Sequence, residues 1–292
     1  MTTATQQHAL RFEVNECGIA TLWLDGGEKS VVVLDRNLIQ RLNKTLDTIE
    51  QTQGIKGLVL RSDCDRVFVA GADLVEIDAL DNHGLHAYLA FGTTVFARIS
   101  ALPYPTVATI NGATLGGGLE IAMHCDALIA SKTNAKNKAY PIGLPEAGLG
   151  LCPGWGGTQM LPARIDPETA IVAVATGTPF MSSDIPKGLI ATFVDTPAAL
   201  QDAAEQWIQE HDTIGTTPIA IDKDNATRCR EGLAKAKTST EQSEAANAVF
   251  LAIETGIENG WAAAVAVEQC ELVRLRSTSW AREKLDAFLS KG

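Results

Sequence analysis

The sequence predicts an α/β protein: residues 1–197 form a sheet-containing core built by repeated crossovers, and residues 198–292 form a C-terminal helical region. Short apolar runs of strand character alternate with longer runs of helical period as far as about residue 197. That alternation points to crossovers between strands of a sheet, not to a helical bundle. Beyond residue 198 no strand pattern returns. With 292 residues, 46% of them hydrophobic and 20% charged, the chain can bury a sizeable core.

Taken in order, LRFEV and GIATLWLD read as paired strands around a polar turn at Asn15. VLDRNLIQRLNKTLDTIEQ places Leu34, Leu38, Leu42, Leu46 and Ile49 at helical spacing, which gives one apolar face. GLVLRSD follows as a short buried strand. Strand character returns in TVATINGA and ALIASKT, with helical runs in LHAYLAFGTTVFARISAL and GGLEIAMHCD. In the last third, AALQDAAEQWIQEHD, QSEAANAVFLAIETGIEN, WAAAVAVEQCELVRLRST and SWAREKLDAFLSK are helical in period and joined by short polar links. Ala262, Ala263, Ala264 and Ala266 permit close helix contacts, within the chain or across a subunit boundary, and a core within the chain is the simpler reading.

Asp plus Glu number 35 against 24 Lys plus Arg, a net charge of -11 that repels nucleic acid and anionic membranes. No basic cluster offsets it. Cys17, Cys64, Cys125, Cys152, Cys229 and Cys270 show no C-x-x-C spacing and no histidine placed to complete a zinc site, so reduced, packing cysteines and no metal are expected. MTTATQQHALRFEVN lacks the marks of a signal or transit peptide, and no apolar run has the length of a membrane span. A cytoplasmic protein is the expectation.

Three stretches carry chemistry. In NGATLGGGLEIAMHCD, residues 111–126, three glycines precede a helical pattern that holds a single carboxylate among apolar residues. A helix starting near Gly117 leaves first-turn N–H groups unpaired at an end favouring negative charge, and glycine lets a substrate oxygen approach them. Glu120 then sits in the first turn; from this stretch alone, a carboxylate that only complements the dipole or closes a cap explains it equally well. In VFVAGADLVEIDAL, residues 67–80, the small residues Ala70, Gly71 and Ala72 form a second junction where backbone N–H groups are accessible, though such a turn is common. YPIGLPEAGLGLCPGWGGTQMLPARI, residues 140–165, holds four prolines and six glycines, which excludes a plain helix or central strand in its first half. Glu146 lies in that loop. An exposed loop glutamate is the simplest account of it, but two carboxylates in one apolar pocket would shift each other's pKa, so that one holds a proton while the other accepts one.

The ordered set AGAD, NGATLGGGLE and GLPEAGLGLCPGWGGTQMLPARI resembles the crotonase superfamily, and within it the enoyl-CoA hydratases, over about residues 12–190. The resemblance implies a spiral of repeated strand-strand-helix units followed by C-terminal helices, and assembly as trimers or pairs of trimers. It implies an acyl-CoA thioester as substrate, coenzyme A being part of that substrate and no separate cofactor being needed. It further implies an oxyanion hole from the Ala72 and Gly117 N–H groups, with Ala70, Gly71, Asp73, Leu74 and Gly116 beside the substrate. Glu120 and Glu146 would flank the C2–C3 bond, Glu120 activating water and Glu146 supplying the proton to C2, to turn a trans-2-enoyl-CoA into the 3-hydroxyacyl-CoA.

IGLPEAGLGLCPG and the run from AIETGIENG to the end look more like the hydratase part of multifunctional β-oxidation enzymes than like the stand-alone hydratase. No G-x-G-x-x-G after a strand marks a dehydrogenase half, so none is expected here. KTNAKNKAYPIG reads as an insertion before Glu146. Trp155 in PGWGG is expected to pack more than to shape the acyl pocket. His124 is expected to be structural, Cys125 and Cys152 not to act as nucleophiles, and Asp73 to cap the short helix after AGA. Two alternatives stand beside hydration: Δ3,Δ2-enoyl-CoA isomerisation with Glu146 alone, and a non-catalytic acyl-CoA-binding subunit.

Overall fold

The computed structural model describes residues 9–213 and 215–290. Part of the stretch read for a leader, residues 1–8, lies outside them. The chain opens with β1 (Phe12–Val14) antiparallel to β2 (Ile19–Leu24). The Asn15 side chain shapes the turn between them by accepting from the Cys17 and Ile19 N–H groups. Asp35 then caps α1 (Arg36–Gln51) by accepting from the Leu38 N–H, and Leu38, Leu42, Leu46 and Ile49 are buried as their spacing requires.

From here the chain repeats one unit. The first strand of each repeat joins a six-stranded sheet, the second joins a four-stranded sheet, and a helix follows. The repeats begin with β3 (Gly57–Ser62) and β4 (Val67–Val69), followed by α2 (Leu74–Ala79) and α3 (Asn82–Ser100). Next come β5 (Thr106–Ile110), β6 (Ala113–Leu115) and α4 (Gly117–Met123). The third has β7 (Ala127–Ser131), β8 (Pro141–Gly143), a 3-10 turn at Glu146–Leu149 and α5 (Gly157–Arg164). After α6 (Pro167–Thr176), β9 (Phe180–Met181) and β10 (Thr192–Val194) finish the two edges. The strand orders are β1-β2-β3-β5-β7-β10 and β4-β6-β8-β9. Because β3, β5 and β7 are parallel neighbours, and β4, β6 and β8 likewise with a register shift between Val67 and Val69 of β4, successive repeats stack side by side and the strand-strand-helix spiral follows.

Every residue of β5 and β7 is buried, as befits parallel strands covered on both faces. Ala108, Ile110, Leu128 and Ala130 face the main core. Val107, Ala127 and Ile129 face outward and are covered by Leu200, Ala204 and Ile208 of α7 (Leu200–Glu210). The helix assigned from sequence to the C-terminal region thus lies on the sheet of the core.

The remaining helices are α8 (Ala226–Ser239), α9 (Glu244–Asn259), α10 (Trp261–Leu275) and α11 (Ser279–Leu289). The polar link expected between α7 and α9 contains α8. Cys229, Leu233 and Ala236 give that helix a narrow buried face among charged residues, and Gly232 lets it close onto Pro167 and Glu168. Of the alanines of α10, Ala264 is buried, whereas Ala262 and Ala266 are exposed. Among the described residues no helix is long and apolar enough to cross a membrane.

Candidate active site

Four chain segments converge on a cavity of about 260 Å³. The junctions β4–α2 and β6–α4 supply Ala72 and Gly117. The 3-10 turn supplies Glu146, and the turn before α5 supplies Trp155. Leu272 of α10 and Phe288 of α11 close the space from the C-terminal side. A larger hollow of about 540 Å³ lies beside Thr176, Ser243 and Trp280, but neither Glu120 nor Glu146 lines it.

The two junctions are built on glycine. Gly71 has φ +118° and Gly116 has φ +54°, conformations that a side chain strains. A Cβ on Gly116 would also meet Glu146 Oε1 at 2.6 Å, and one on Gly117 would meet Leu34 Cδ1 at 3.1 Å and the Trp155 ring closer still. The neighbouring amides are committed: Ala70 donates to Val32, Asp73 to Leu34 and Gly116 to Gly143. The Ala72 and Gly117 amides donate to no protein acceptor among the described residues, and both residues line the cavity.

Ala70, Gly71, Leu74 and Gly116 line the same space. Asp73 does not. Its carboxylate caps α2, accepting from the Val75 and Glu76 N–H groups, and pairs with Lys29 at 2.7 Å.

Glu120 is 1% exposed, and its Oε1 accepts two backbone N–H groups, from Trp155 and Gly157, each at 2.8 Å. Burial first, and then the negative charges of Glu146 and Glu268, hold its carboxyl well above the ordinary carboxylate range. Burial pushes the Glu146 carboxyl up to about 8, with the Glu268 charge adding to the push. Glu146 Oε2 is enclosed and has no hydrogen-bond partner among the described residues. Glu268, fully buried on α10, is the carboxylate that sequence reasoning missed. Burial raises it to about 7 against the hydrogen bonds it receives from Thr158 and Gly156. A signal was present in the sequence: Glu268 stands in WAAAVAVEQCELV as Glu120 stands in GGLEIAM, a lone carboxylate on the apolar face between Val265 and Leu272.

This arrangement makes stability depend on pH. A carboxyl raised from 4.5 to about 8 keeps its proton in the folded chain after the unfolded chain has released it. Stability therefore falls as pH rises between those values, because the folded state binds more protons. Glu146→Gln should flatten part of that fall. Urea midpoints for both proteins across this interval test it, and a constant difference between them would remove Glu146 from the account.

The other titratable candidates stand apart from the chemistry. His124 Nδ1 lies 3.0 Å from Ser100 Oγ, its ring packs between Phe96 and Trp261, and burial lowers its pKa to about 3. Burial raises the thiol pKa values of Cys125 and Cys152, which disfavours thiolates. Arg164 donates to the Met123 and Cys125 carbonyls and so anchors the C-terminal end of α4, the helix that carries Glu120. No group of three or more His, Cys, Asp or Glu side chains arranged to hold a metal is found among the described residues.

A family model described as enoyl-CoA hydratase/isomerase matches residues 17–258. The chain is 33% identical over 215 residues to the fatty acid oxidation complex subunit alpha of Idiomarina loihiensis, a match covering 73% of this chain and 30% of that protein. It therefore spans less than a third of the length of that curated relative. In fold it is similar to the crystal structure of an enoyl-CoA hydratase from Bacillus anthracis, with TM-score 0.63, 24% identity and 97% of each chain covered. It is similar also to human mitochondrial Δ3-Δ2-enoyl-CoA isomerase, with TM-score 0.68 and 21% identity over 97% of this chain and 98% of that one.

Proposed function

The chain belongs to the enoyl-CoA hydratase/isomerase family of the crotonase superfamily, and within it we propose that it hydrates trans-2-enoyl-CoA to 3-hydroxyacyl-CoA. One observation carries this reading: the buried Glu120, the half-buried Glu146 with its enclosed oxygen, and two amides with no protein acceptor among the described residues share one apolar cavity. Addition at C3 of an enoyl thioester drives negative charge onto the thioester oxygen. The Ala72 and Gly117 N–H groups receive that charge, and each donor of this kind lowers a barrier by about 3–4 kcal/mol.

Water must also be deprotonated and C2 protonated. Like charges in one apolar site do not both ionise easily, so the pair keeps a proton. The two N–H groups on Glu120 favour the charge there, and Glu146, with an oxygen lacking any donor, holds the proton. Glu120 is then the base toward water and Glu146 the acid toward C2. The same uncommitted Glu146 oxygen also suits the shuttling of a proton between C2 and C4, which makes Δ3,Δ2 isomerisation the second reading.

A cytoplasmic location is part of the proposal; the crotonase resemblance adds a homotrimer or pair of trimers, with the coenzyme A moiety entering as part of the substrate. Incubation with crotonyl-CoA should bleach the conjugated thioester absorbance. A chain that leaves crotonyl-CoA and longer 2-enoyl-CoAs untouched while converting 3-enoyl-CoA is an isomerase. One that binds these thioesters and converts none is a binding subunit.

A further inference from the structure

The turn before α5 is gripped from both sides. Along Trp155, Gly156, Gly157 and Thr158 the amide N–H groups alternate in direction. Trp155 and Gly157 donate to Glu120 Oε1. Gly156 donates to Glu268 Oε2 at 2.6 Å, and Thr158 donates to Glu268 Oε1 at 2.9 Å. The Thr158 hydroxyl donates to that same Oε1.

Successive peptide groups that face opposite ways are geometrically linked, because rotating one plane turns its neighbour. Gly156 makes the alternation possible: its φ is +98°, and a Cβ there would sit 2.1 Å from the Trp261 ring. Further ties hold the turn to the C-terminal helices. Gln269 of α10 donates to the Gly154 carbonyl, and Gln159 donates to the Ala252 carbonyl of α9. Glu268 lies on the far side of the turn from Glu120 and does not line the cavity.

We propose that Glu268 is a positioning residue: by fixing the Gly156 and Thr158 amides it aims the Trp155 and Gly157 amides at Glu120, and thereby sets the orientation and charge of the water-activating carboxylate. The C-terminal helices reach the chemistry by this route, through the backbone of a four-residue turn. The proposal rests on Glu120 being the catalytic base, and its first test needs no substrate.

In protein labelled with 15N-tryptophan, the Trp155 amide is identified by its loss in Trp155→Phe. Its hydrogen exchange is then compared between wild type and Glu268→Gln, which keeps the side-chain shape but replaces one accepting oxygen by a donor. The Trp155 amide donates to Glu120 and not to Glu268, so a loss confined to the bonds of Glu268 leaves that amide as protected as before. The proposal expects exchange to rise by about tenfold or more at Trp155, with the other tryptophan amides unchanged. Unchanged protection at Trp155, or an equal rise at every tryptophan, overturns it. Should Glu268→Gln fail to fold, Glu268→Asp, which keeps the charge but shortens the reach, serves for the same comparison.

With crotonyl-CoA, Glu268→Gln should lower kcat by about 10–100-fold through misplacement of Glu120, while KM moves by less than about threefold. In a Glu120→Gln background the same change should cost nothing further, since a residue that acts through another has no independent effect. Losses that multiply overturn the proposal. A wild-type chain inactive on every enoyl-CoA overturns the hydratase reading instead, and the amide exchange still decides whether Glu268 orients the turn.

Discussion

Glu120→Gln and Glu146→Gln should each lower crotonyl-CoA hydration by about 10²–10⁴-fold, the range that a positioned acid or base supplies. Both variants should fold. Each replaces a carboxyl held above its ordinary range by burial with a neutral group of the same shape, so the cost of placing an ionisable group in an apolar cavity disappears. Glutamine at 120 still offers an oxygen to the Trp155 and Gly157 amides. Loss of rate without loss of Tm therefore reports on chemistry and not on packing. The two variants also separate the two readings of the site: Glu120→Gln should spare isomerisation of a 3-enoyl-CoA, which needs one carboxylate, and Glu146→Gln should abolish it. Hydration at the wild-type rate in Glu120→Gln would remove Glu120 from the mechanism.

The second large effect falls on stability. Trp155 is 2% exposed, meets Tyr88 and Phe96 edge-on, and donates its indole N–H to the Leu89 carbonyl at 3.0 Å. Gly92 of α3 and Gly117 of α4 have no room for a side chain because the indole fills it. Trp155→Ala leaves a hole between two helices and an unpaired carbonyl, and should cost about 3–5 kcal/mol, the usual range for emptying an aromatic site. Urea unfolding measures it, and a cost below about 1 kcal/mol would mean that the neighbours collapse into the space. The indole also lines the cavity, so the packing role expected from sequence is accompanied by a boundary role. Rates along a series of acyl-chain lengths in Trp155→Phe would show whether the shortened wall admits a longer chain.

Much of the fold was legible because local signals agreed with tertiary demand. The α1 stripe, the α4 start at Gly117 and the Asp73 cap each follow from spacing or from the residue type at a helix end. α8 was not legible: three small or medium apolar residues among charges make too thin a stripe, and the helix is held by its contact with α6 rather than by its own pattern. The place of α7 depends on a sheet face that no local window contains. In the site, Glu120 and Glu146 stood out through the glycines and prolines around them. Glu268 had no such frame, and what marks it is the turn it holds, 112 residues away along the chain.

That separation has a consequence for how the protein is made. The bonds from Gly156 to Glu268 close a loop of 112 residues, whereas Glu120 to Trp155 closes only 35. Closing the longer loop carries the greater entropic cost, so the short closure is favoured to form first and the long one to wait for α10 to dock. A chain emerging from the ribosome has Glu120 and the Trp155 to Thr158 turn synthesised before Glu268. The turn before α5 is therefore gripped from both sides only after α10 has docked on it, and its full order reports that α10 and the spiral have met.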